Sequence, residues 1–172
     1  MTAPPGKPVW QQVLCIAEGD QLRANAVSPY YGGLPDVVQG FVTMAKHTAH
    51  LRGSEALLRV LRMDYPGSPF GPSDPVYAVR FTTDSVASVF STDKPMARSM
   101  GRDGGADLGY GPPYTGNGFT GTAEFTIPEF WMVDGVLDPL AELWYVPPTD
   151  GERLAAVLTA SKEWVGVAGF DH

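Results

Sequence analysis

Cysteine is almost absent: Cys15 is the only one in 172 residues. That excludes an internal disulfide and a Cys-based zinc site. Cys15 lies in an apolar run, where a buried, inert thiol is the expected state. Long apolar runs are missing as well. None approaches the ~20 residues that a helix needs to cross a bilayer. The opening MTAPPGKP has no apolar segment of the signal-peptide kind. The expectation is a soluble, cytoplasmic protein with no membrane partner. Charged residues are scarce at 18%, below the usual quarter. Histidine is scarce too: His47 and His50 are the only internal ones. The nucleophile elbow Gly-x-Ser-x-Gly does not occur, and neither does the Gly-Lys-Ser/Thr of a P-loop.

What is present points to a packed, sheet-containing domain. Apolar residues make up 44% of the chain, enough for a core. Glycine (20) and proline (16) are abundant, and both are costly inside helices. The length suits a single domain over 1–172 with a Pro-rich lead-in at 1–8. The expected class is α+β, with a mostly antiparallel sheet of about six strands and two or three helices. The net charge of −7 is unevenly placed. Residues 1–119 balance ten acids with ten bases, whereas 120–172 hold nine acids against Arg153 and Lys162. Phosphates need compensating cations, so nucleic acid is not expected as a partner. A basic protein surface suits that last third better.

Along the chain, residues 9–27 read as two strands turning at Glu18-Gly19-Asp20-Gln21. Residues 36–52 read as an amphipathic helix, with Val37, Val38, Phe41 and Ala45 on its apolar arc and Lys46 opposite. The stretch 54–63 is rich in helix formers, with alternation also permitting a strand. Prolines 66, 69, 72 and 75 recur at the polyproline II period and suggest a rigid strap. VYAVRFT is a strand with Tyr77, Val79 and Phe81 on one face and Val76, Ala78 and Arg80 on the other. DSVASVFS suggests a short helix capped by Asp84, and FTGTAEFTI a strand that Pro128 interrupts. EFWMV and LAELWYV read as a further strand pair. Thr149 and Glu152 form a capping box for a last helix with Leu154, Val157, Leu158, Ser161 and Val165 as its stripe.

Candidate sites are few. His47 and His50 stand three apart on the expected helix, with Asp36 and Thr43 sharing that face. Two imidazoles so placed suit acid–base work. A metal would need further ligands, so neither a metal nor another cofactor is expected. Glu124 lies among aromatics, where a carboxyl pKa rises and general acid or base chemistry becomes available. Lys46, Arg52, Arg59 and Arg62 form a local basic group suited to an acidic partner. Residues 95–118 hold ten Gly or Pro in 24, together with Tyr110 and Tyr114, and form either a lid or an arm. Tyr30, Tyr31 and Trp131 complete the aromatic candidates for binding.

Two functional readings follow. The first is a non-catalytic interaction or assembly subunit, with a protein partner or self-association through the acidic third and the 95–118 arm. The second is a small-molecule enzyme of isomerase, cyclase or lyase type. It would have an aromatic-lined pocket, the 95–118 loop as lid, and His47, His50 or Glu124 as its titratable group.

Overall fold

The computed structural model describes residues 6–26, 34–61, 63, 68–85, 87–89, 119–121, 126–128, 130–149 and 151–170. Strand β1 (Trp10–Leu14) leads into helix α1 (Ile16–Arg23). Strand β2 (Val37–Met44), the one-turn helix α2 (Ala45–Thr48) and helix α3 (Gly53–Val60) follow. Then come β3 (Val76–Phe81), β4 (Ala87–Val89), β5 (Phe119–Gly121) and β6 (Thr126–Pro128). The last four strands are β7 (Phe130–Val136), β8 (Glu142–Val146), β9 (Arg153–Leu158) and β10 (Trp164–Gly166).

Eight strands form one sheet in the order β10-β9-β8-β3-β1-β2-β7-β4, and β5 pairs with β6 separately. Every pairing among the described residues is antiparallel, as expected, although the strands exceed six. The sheet curls. In a flat sheet β10 and β2 would stand about 24 Å apart, at five spacings of ~4.8 Å. Yet the Trp164 indole N–H donates to the Pro35 carbonyl at 2.6 Å. The Lys162 ammonium lies 3.3 Å from the Asp36 carboxylate. The concave face holds Trp10, Leu14, Tyr77, Val79, Phe81, Leu143, Leu158 and Trp164 as one core. On the opposite face Val13, Val76, Ala78 and Val146 pack under Leu57 and Leu58 of α3. Burying those two leucines contributes roughly 1.5–3 kcal/mol each.

Strand β3 and helix α3 bear out the sequence reading, and the alternation read for β3 holds face by face. Several other elements correct it. Residues 16–23 are helix rather than the second arm of a hairpin. The Glu18 carboxylate reaches back to accept the Cys15 backbone N–H at 3.1 Å, which fixes the helix start. Gly19 is not a turn residue. It lets α1 approach the Tyr77 ring, where a Cβ would sit 2.0 Å from the nearest ring carbon.

Residues 37–44 are strand, not helix, because β1 and β7 claim both of its edges. Val37 and Val38 are buried and Lys46 exposed as expected, but Phe41 and Ala45 are only half-buried. A register shift between Val38 and Gly40 explains why simple alternation failed there. Residues 87–89 pair with β7 rather than forming a helix, and Asp84 binds Lys7 instead of capping. Residues 119–121 and 126–128 are two strands paired antiparallel with each other, not one strand, with Pro128 opposite Phe119. Strands β7 and β8 are not partners: β7 pairs with β2 and β4, and β8 with β3 and β9. The expected last helix is β9 and β10. Antiparallel pairing of β9 with its neighbours β8 and β10 overrides the local helix signals, and Glu152 goes to Arg80 rather than to a cap. Of the proline strap, residues 68–75 are described, and there Asp74 accepts the Gly71 N–H at 2.7 Å.

Candidate functional site

Strand register assembles the most polar region of the convex face. Gln11 stands opposite Arg80, and Arg80 opposite Glu142, so three polar side chains form one row across β1, β3 and β8. The next row is Val13, Ala78 and Trp144. Directly opposed residues lie about 5 Å apart, so neighbours within a row interact. Helix α3 covers the apolar rows. The polar row meets a cleft of about 520 Å³. Its walls are Lys7 to Val9, the segment from Met44 to Arg52 apart from His47 and His50, and Arg80, Glu142, Trp144 and Glu152. A water-sized recess of about 10 Å³ adjoins it and shares Thr48, Leu51, Arg80 and Glu152.

Arg80 is the hub. Its Nε donates to Gln11 Oε1 at 2.9 Å, and its face lies 5.4 Å from the Trp144 ring centre. Its two terminal nitrogens grip Glu152 in a fork, Nη2 to Oε1 at 2.9 Å and Nη1 to Oε2 at 2.8 Å. Gln11 is fully buried and passes the network on, its Nε2 donating to Thr48 Oγ1 at 3.0 Å. The bond from Gln11 ties α2 to the sheet, and within α2 the Thr48 hydroxyl donates to the Ala45 carbonyl at 3.2 Å. The Trp144 indole N–H donates to Glu142 Oε2 at 2.8 Å.

The N-terminal wall is tied down at both ends. The Ala45 N–H donates to the Val9 carbonyl at 2.9 Å. Lys7 Nζ lies 2.8 Å from Asp84 and 2.9 Å from Asp138, which also accepts the Thr82 hydroxyl at 2.7 Å. The bond to Asp84 first, then that to Asp138, raises the Lys7 pKa above its ordinary value. Burial alone would push Asp138 up. The Lys7 ammonium and the Thr82 hydroxyl outweigh it and hold the carboxyl below its ordinary value.

No family model, curated protein or solved structure matches this chain. What the cleft can do follows from its side chains. Four cations, Lys7, Lys46, Arg52 and Arg80, line it against two carboxylates, Glu142 and Glu152. Among the described residues, no carboxylate pairs with Lys46 or Arg52, and both are exposed. Pro8, Val9, Met44, Ala45, Ala49 and Leu51 supply apolar wall beside them. The volume falls within the ~300–1,000 Å³ usual for small-molecule sites.

The residues expected from sequence mostly lie elsewhere. His47 sits in α2 and His50 in the turn after it, and neither lines the cleft. Helix α2 ends at Thr48, so the two histidines do not share a helix face. Burial, then the Lys46 charge, lowers the His47 pKa, and its buried Nδ1 has no hydrogen-bond partner among the described residues. Asp36 goes to Lys162, and Thr43 is buried in β2, so neither joins the histidines. Glu124, Tyr30, Tyr31, Tyr110, Tyr114 and the 95–118 loop lie outside the described residues. Trp131 is held in β7 opposite Phe41 and Ser88. Among the described residues, no group of three or more His, Cys, Asp or Glu is placed to hold a metal ion. The cleft residues Arg80, Glu142 and Glu152 were missed as a site. One signal was available: a lone arginine on the otherwise apolar Val76, Ala78, Arg80 face.

Proposed function

We propose that this chain is a non-catalytic binding protein whose cleft takes a small amphipathic anion, a carboxylate or phosphate carried on an apolar body. The observation that carries this reading is the division of charge within the cleft. Its two carboxylates are engaged, Glu152 by Arg80 and Glu142 by the Trp144 indole, whereas Lys46 and Arg52 stand beside apolar wall without acidic partners among the described residues. Engaged carboxylates are poor acid–base catalysts, because a catalytic group must reach the proton it moves. Cations beside apolar surface suit an anionic head with a hydrophobic body. The 95–118 arm, on which a protein-assembly role would depend, lies outside the described residues, and the proposed function does not require it.

The test is a titration of phenylacetate against its neutral amide, phenylacetamide, by calorimetry. Phenylacetate should bind and the amide should not. The double variant Lys46→Gln, Arg52→Gln should weaken binding roughly tenfold, about 1.4 kcal/mol for the pair. Equal affinity for acid and amide would remove the anion from the proposal. Turnover of the bound acid would overturn the non-catalytic part.

A further inference from the structure

Glu152 occupies Arg80 in the way a bound carboxylate would. The fork geometry, with two parallel N–H···O contacts at 2.8 and 2.9 Å, is the arrangement in which arginine recognises a planar carboxylate. Arg80 does not depend on Glu152 for its orientation. Gln11 holds Nε from the strand beneath and Trp144 supports the guanidinium face. With Glu152 withdrawn, both terminal nitrogens would still face the cleft that Arg80 lines.

Glu152 itself is reachable from solvent. Its side chain is 30% exposed. It precedes β9 by one residue and follows Gly151, whose φ of +111° lies in the region that favours glycine and whose Cβ position meets nothing within 4 Å. An incoming carboxylate would make the same fork that Glu152 makes, so an exchange of one carboxylate for another at Arg80 is close to balanced. Lys46 and Arg52 then favour the exchange, since an incoming anion gains two cations that Glu152 does not contact.

We infer that Glu152 is an intramolecular stand-in for the ligand. The preferred ligand is a carboxylate, which displaces Glu152 from Arg80 on binding. This rests on the cleft being the ligand site, and it narrows the anion from carboxylate or phosphate to carboxylate. It also gives the 151–152 segment two arrangements, one with the cleft empty and one with it filled.

The experiment compares phenylacetate and phenyl phosphate on the wild type, Glu152→Gln and Arg80→Gln by calorimetry. Glu152→Gln loses the competing charge and keeps the side-chain size. It should bind phenylacetate about fivefold more tightly than wild type, the factor that removing a partly exposed competing charge allows. Phenylacetate should bind more tightly than phenyl phosphate, and Arg80→Gln should lose most of that preference. In the wild type, phenylacetate should also shift the Gly151 amide resonance, whereas in Glu152→Gln that shift should shrink. A merely structural ion pair predicts the opposite sign, with weaker binding in both variants. If Glu152→Gln binds no more tightly while the Lys46 and Arg52 variant still weakens binding, the exchange is overturned and the cleft stands. If phenylacetate binds none of these proteins, both are overturned.

Discussion

A single missing methyl group sets the distance between α1 and the sheet. Any side chain at Gly19 would have to enter the Tyr77 ring. Gly19→Ala should therefore destabilise the fold by about 1–3 kcal/mol through overpacking. A urea midpoint unchanged from wild type would show that α1 can shift outward freely. Tyr77 itself has little room to move: its hydroxyl donates to Asp20 at 3.0 Å, and its ring packs edge-on against Tyr145 at 5.7 Å. From the sequence, Gly19 looked like a turn residue, since Gly-Asp is a common hairpin signal. Its actual role depends on Tyr77, 58 residues away, and no local window contains that partner.

Asp138 offers a residue-scale test of pH dependence. Its carboxyl is held below its ordinary pKa, so folding favours the ionised form. The stabilisation is complete above the ordinary carboxylate pKa and is lost as pH falls through the folded value. Asp138→Asn should thus be less stable than wild type near neutrality. It should also lose less stability between about pH 5 and pH 2. Identical acid-side slopes in chemical denaturation would mean that Lys7 and Thr82 do not act on Asp138 in this way.

Among the elements, β10 is instructive because it is an edge that has been closed. Its neighbour β9 covers one side. On the other, the Asn25 side chain imitates a strand: its Oδ1 accepts the Trp164 N–H at 2.6 Å and its Nδ2 donates to the Trp164 carbonyl at 3.0 Å. Open strand edges invite pairing with other chains. Asn25 has a φ of +55°, so Asn25→Gly removes the side chain without straining the backbone. That variant should lose about 1–3 kcal/mol for two hydrogen bonds. It should also self-associate with rising concentration, as read by light scattering. A monodisperse variant of wild-type stability would mean that the edge needs no plug.

The elements also mark the limit of sequence reading. Strand β3 was legible because it alternates cleanly and is central. Helix α3 was legible because its helix formers also supply Leu57 and Leu58 to the core. Residues 37–44 and 153–166 were misread for one shared reason. Their spacing is compatible with a helical stripe, and only pairing with neighbouring strands makes them strands. Val37 pairs with Val136 far along the chain, and Leu158 with nearby Trp164 across a tight reversal, and helical periodicity carries no record of either partner.

At the scale of the whole molecule, the cleft could not have been found from motifs. Lys7, Arg52, Arg80 and Glu152 are scattered along the chain and meet only through strand order. The fold class was accessible from composition, because abundant glycine and proline with a moderate apolar content favour loops and sheet. The site required topology.

The curl that brings Trp164 to Pro35 also constrains the order in which the protein can form. That contact spans 129 residues, and β3 reaches β8 only after the whole of residues 82–141. Contacts of such separation form slowly, because chain entropy must be lost before they repay it. During synthesis β3 leaves the ribosome well before β8 and β9 exist. Val76, Tyr77, Ala78, Val79 and Phe81, all fully buried in the finished fold, must wait with one edge unpaired. A short apolar strand in that condition is prone to aggregate. The nascent chain should therefore be most dependent on chaperones in the interval between the emergence of β3 and that of β8. The charge of Arg80 within this strand is the one feature of its sequence that works against premature pairing.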